Sequence, residues 1–133
     1  MVEKDYMMRL IHEMVRTIAM LIFHKDQGTE EELIFLEGIS RDFYHRLCHV
    51  ADEGKINEAE NMLYESLEEN DWDREGNMEK LELALAFYDY LNAKENDFLE
   101  AHNYSREEIE DGIQSVMKLY GYGELAETLL ENR

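Results

Sequence analysis

The chain has 133 residues, and its 13 Lys and Arg against 32 Asp and Glu give a net charge of −19. That length predicts a single domain over 1–133 with enough interior to fold without disulfide or metal staples, and the charge repels phosphate backbones and anionic lipid, which argues against nucleic-acid and membrane partners. The sequence holds no proline, where average usage of about 5% would supply roughly six or seven, so long helices run unbroken and a proline-rich or all-β class is excluded.

In chain order, Glu3 to Lys25 reads as an amphipathic helix, with Met7, Leu10, Ile11, Met14, Val15, Ile18, Leu21 and Ile22 on one broad face at helical spacing. Five of the eight methionines, Met1, Met7, Met8, Met14 and Met20, fall in this stretch, and methionine suits adaptable contact surfaces. Its charges balance through Asp26, with Lys4, Arg9, Arg16 and Lys25 against Glu3, Asp5, Glu13 and Asp26, so the excess acidity lies downstream. Thr29 with Glu32 then predicts a capping box for a short apolar helix, Leu33 to Leu36, ended by Gly38. A longer helix from about Ser40 to Asp52 turns Phe43, Tyr44, Leu47, Val50 and Ala51 inward and stops at Gly54. Asn57 and Glu60 predict the cap of the next helix, which runs to about Glu69 on an inner stripe of Ala59, Met62, Leu63, Ser66 and Leu67. Two helices joined by so few residues must pack antiparallel.

From Met78 to about Ala93 the pattern is apolar nearly all round, leaving a narrow polar strip near Glu82 and Asp89. This marks a central helix or one covered by a partner. A polar connection carrying Phe98 and Leu99 leads to Ser105, which with Glu108 forms the clearest capping box in the chain. The helix that follows buries Ile109, Ile113, Val116, Leu119 and Tyr120 and ends at Gly121, while Gly112 on that face allows a close helix approach. Glu124 to Leu130 predicts a last short helix. The fold expected is therefore all-α, a compact bundle of about five to six helices built from antiparallel hairpins. The hairpin Phe43 to Leu67 is partly similar in shape to a tetratricopeptide unit through Phe43, Gly54, Ala59, Leu63 and Ser66, without its Leu-Gly pair, its closing proline or a second copy.

Two patterns bear on metal chemistry. In DWDREGNMEKLE, Asp71, Asp73, Glu75, Asn77, Glu79 and Glu82 fall on the ligand positions of an EF-hand loop, with Gly76 at its bend. Calcium takes about six to eight oxygen ligands, which such a loop can wrap around it. The motif is single, and in a chain this acidic a solvated turn with Asn77 capping the next helix explains the same residues. Asp42, His45, His49 and Asp52 share one helical stripe, a donor set that suits zinc, nickel or manganese. That stripe lies opposite Phe43, Leu47 and Val50 and so is expected to face water. Cys48, the single cysteine, cannot close an internal disulfide and reads as a small core hydrophobe. With no leader pattern and no apolar run of about 18 residues, a cytoplasmic protein is expected.

The segments DYMMRLIHEMVR, INEAENMLYE and FLEAHNYSREEIEDG resemble a bacterial family of small, acidic, uncharacterised helical proteins. That resemblance spans most of the chain and implies no activity or site. Neither a nucleophile elbow nor a phosphate-binding loop is present in the sequence. The expected function is thus a non-enzymatic protein–protein interaction module without cofactor, self-associating as a homodimer through Met7, Ile11, Met14, Ile18 and Leu21. A divalent-metal protein using Ca2+ at residues 71–82 is the alternative. The apolar helices around Met7 to Phe23 and Leu81 to Leu91 either bury each other or are covered by a second copy.

Overall fold

The computed structural model describes the backbone of residues 2–23, 38–68 and 74–131, and the side chains of 6–22, 41–68 and 79–130. Among the described residues there are seven helices and no strand: α1 (Val2–Phe23), α2 (Gly38–Asp52), α3 (Ile56–Glu68), α4 (Arg74–Asn92), α5 (Asn96–Ala101), α6 (Arg106–Leu119) and α7 (Gly123–Glu131). The helix expected over Leu33 to Leu36 lies outside the described residues. No described helix is long and apolar enough to cross a membrane.

Local chemistry sets most of the helix ends. Ser105 Oγ accepts the Glu108 amide at 3.2 Å while the Ser105 amide donates to Glu108 Oε2 at 2.8 Å, the reciprocal capping box expected at the start of α6. Both α2 and α6 stop as the sequence predicts, at left-handed glycines, Gly54 with φ of 90° and Gly121 with φ of 87°. Each is flanked by the paired backbone bonds of a Schellman turn: Lys55 to Val50 with Gly54 to Ala51, and Tyr122 to Met117 with Gly121 to Lys118. Asn103, at φ 56°, takes the same role after α5.

Three boundaries differ from the sequence reading. α3 begins at Ile56, and the bond from the Ala59 amide to the Lys55 carbonyl makes Lys55 the cap, leaving Asn57 exposed in the first turn. The Gly54 turn delivers the chain directly into α3, so no further residue is needed to redirect it. Phe98 and Leu99 sit on a real helix, α5, whose six residues are too few to display a period. α4 starts at Arg74, about four residues earlier than its apolar run suggests.

The core is organised around α4, which packs against α1, α2, α3 and α6. Leu81, Ala84, Leu85, Phe87, Tyr88 and Leu91 are fully buried on it, so the chain's own helices cover the all-round apolar segment and no partner is required there. α6 packs between α4 and α7 and also reaches α1. Gly112 lies where a side chain would collide with the Tyr88 phenol, so α6 and α4 approach closely as its position on the buried face predicts.

Candidate functional site

α1 divides into three flanks. Its inner flank, Ile11, Met14, Val15, Ile18 and Ala19, is buried against the helices it packs on, α4 and α6. This corrects the expectation that Ile11, Met14 and Ile18 lie open to a partner: apolar area that looks excessive along one helix is absorbed once α4 is placed beside it. Met7 is half-buried, and Leu21 remains 53% exposed.

The second flank borders a cavity of about 240 Å3 between α1, α6 and α7, lined by Leu10, Ile11, Glu13, Met14, Thr17, Glu110, Leu129 and Leu130. Its α1 wall is the series 10, 13, 14, 17, neighbours on one helix edge over about two turns, or some 10 Å. Ile11 and Met14 thus form a floor, and half-buried Leu10, Thr17, Leu129 and Leu130 form the rims. No Lys or Arg stands among the described residues that line it. The sequence supplied the α1 wall, but nothing in it announced that α7 would return Leu129 and Leu130 beside Leu10.

The third flank carries polar ties to α4. His12 Nδ1 donates to Asp89 Oδ1 at 2.9 Å, and Asn92 Nδ2 donates to the Met8 carbonyl at 2.7 Å. Burial pushes the Asp89 carboxyl above its ordinary value, against the opposing pull of His12 and Arg16. Burial likewise pushes the Cys48 thiol up to about 11, which keeps it protonated at neutral pH and unsuited to nucleophilic chemistry.

Elsewhere, Glu60 on α3 accepts from the Tyr88 hydroxyl at 2.7 Å, and Tyr64 and Tyr88 hydroxyls meet at 3.2 Å. The Tyr104 hydroxyl is buried near the same carboxylate, outside direct hydrogen-bond geometry. Burial raises the Glu60 pKa, the tyrosines oppose the rise, and Glu108 adds to it. A raised carboxylate can serve acid–base chemistry; here the phenol bonded to it has no solvent exposure, Glu60 and Tyr64 are half-buried, and the two hydrogen bonds tie α3 to α4.

The residues singled out for metal fall on two helices and on a segment outside the described residues. Asp71 and Asp73 lie outside the described residues, while Glu75, Asn77, Glu79 and Glu82 sit on α4. At about 100° per residue positions 75, 79 and 82 share one side of α4 and position 77 lies across the axis, an arrangement along a helix rather than the wrapped loop in which a calcium site folds its ligands onto one centre. Asp42, His45, His49 and Asp52 are all exposed on α2. Asp52 accepts from Tyr90 at 2.7 Å and from Lys94, and His49 stands 3.6 Å from Glu53. No group of three His, Cys, Asp or Glu side chains among the described residues is placed to hold a metal ion.

No curated protein and no solved structure matches this chain. A family model does, and it covers residues 1–121, which include α1 to α6 and all three of the segments that carry the resemblance seen in the sequence. The chain therefore belongs to the family of unknown function DUF6483.

Proposed function

We propose that this protein is a non-enzymatic helical interaction module that docks a helix of another protein chain, or of a second copy of itself, in the groove between α1, α6 and α7. The observation that carries this reading is the groove itself, with an apolar floor of Ile11 and Met14 and with Leu10, Leu129 and Leu130 on its rims beside Glu13 and Thr17. Small-molecule sites occupy about 300–1,000 Å3. A cavity of about 240 Å3 falls short of that range and suits an anchoring side chain from a partner helix, which recognises such grooves through anchors at i, i+3, i+4 and i+7. Tyr6, 49% exposed, and Leu21, 53% exposed, extend apolar area along the outside of α1 and favour the same use. The acidic exterior opposes nucleic acid and anionic membranes as alternatives.

The test is site-specific photo-crosslinking in the cells that make the protein, with the photoreactive residue at Thr17 on the groove rim and, as a control, at Asn61 on the exposed face of α3. Docking predicts an adduct at Thr17 that is absent at Asn61 and lost with Leu129→Arg. An adduct of twice the chain mass identifies self-association. Equal labelling at both positions rejects the groove.

A further inference from the structure

Granted that docking groove, we infer that its occupant is a basic amphipathic helix belonging to a different protein. Three features select for positive charge. Glu13 stands exposed on the rim, and the described lining includes no cation. α1 is neutral overall, yet its cations are turned elsewhere: at about 100° per residue Arg9 and Arg16 fall on the opposite side of Glu13 from Leu10, Met14 and Thr17, and His12 and Arg16 act on Asp89. The lining itself adds a second carboxylate from α6, Glu110, and beyond the groove the exposed residues of α6 and α7 are mostly acidic, with Glu107, Asp111, Glu124 and Glu127 against Lys118. A lysine- or arginine-flanked apolar stripe therefore meets hydrocarbon at its centre, Glu13 on the α1 rim and an acidic surface beyond. A second copy is disfavoured, because each chain brings a net charge of −19 to the encounter.

The test uses a synthetic helix of about 18 residues with leucines at i, i+3, i+4 and i+7 and flanking lysines, and a twin with glutamates for the lysines. Binding is followed by calorimetry and by the methyl resonances of Leu10, Met14 and Leu129. The lysine helix is expected to bind saturably at one site, to shift those resonances, to weaken with added salt, to lose about fivefold in affinity with Glu13→Lys, and to fail with Leu129→Arg. Thr17→Lys, on a half-exposed rim, repeats the loss without touching the core, and circular dichroism checks that both variants fold. Equal binding of the glutamate twin at the same resonances overturns the basic partner and leaves the groove as a docking site. A wild-type dimer in sedimentation that Leu129→Arg dissociates, with neither peptide bound, does the same and makes the occupant a second copy. Lysine-helix binding without those shifts and indifferent to Leu129→Arg is unselective attraction to an acidic surface, and it overturns both readings. A monomer that binds neither peptide overturns both as well.

Discussion

Arg106 and Glu60 are both taken partly or wholly out of water beside α4, and their surroundings make them opposite in effect. Arg106 is 5% exposed and sits where α4 ends and α6 begins. Its Nη2 donates to the Asn92 carbonyl at 3.0 Å and the Lys94 carbonyl at 2.7 Å, its Nε to Asn92 Oδ1 at 3.3 Å, and its Nη1 to Asn96 Oδ1. Those carbonyls lie at and just beyond the C-terminal end of α4, where the helix dipole is negative and a cation is favoured. Glu60, by contrast, faces phenols and the further negative charge of Glu108, and its raised pKa expresses the cost. A buried charge surrounded by complementary oriented dipoles joins helices. One that meets neutral donors and a like charge is only tolerated.

The sharpest way to break this contrast is Arg106→Leu. It leaves the Asn92 and Lys94 carbonyls and the Asn92 and Asn96 amide oxygens without this donor, which should cost on the order of 3–5 kcal/mol in urea unfolding. A loss within experimental error would mean that water replaces the guanidinium and that the two sites do not differ. Next in size, Gly112→Ala forces the Tyr88 ring off its seat and with it the bond to Glu60. We expect a loss of about 1–3 kcal/mol together with a changed near-ultraviolet tyrosine signal. An unchanged tyrosine signal would show that the phenol is not held by this contact.

Glu60→Gln has the smallest expected effect and the opposite sign. Because folding raises the Glu60 pKa above its ordinary value near 4.5, the folded state disfavours the ionised form. Its contribution to stability therefore improves as pH falls through the raised folded value and is complete below the unfolded one. Glutamine is neutral and still accepts from Tyr88, so the variant should melt higher than the wild type at neutral pH and lose this advantage in acid. A lower melting temperature at neutral pH would place Glu60 with Arg106, as a charge the fold needs.

Much of the helical framework was legible. The Ser105–Glu108 box, the glycine stops at 54 and 121 and the central character of α4 are all encoded within a few residues, because a cap or a period is a local property. Gly112 was legible too, as a missing side chain on an otherwise apolar face. The candidate site was only half visible. Ile11 and Met14 were read as interface candidates for a second chain, but α1 packs on α4 and α6 of its own chain. Glu110, Leu129 and Leu130 went unrecognised because nothing in their spacing relates them to residue 10.

What the sequence determined by itself is where helices begin, which face of each is apolar and that the exterior is acidic, since helix hydrogen bonds close within four residues and charge is a matter of composition. Tertiary structure alone decided that His12 meets Asp89, 77 positions away, that Arg106 seals the end of α4, and that α7 turns an α1 edge into a groove. Those pairings follow from how all the apolar faces are buried together against the entropy of closing long loops, a balance that no single segment contains.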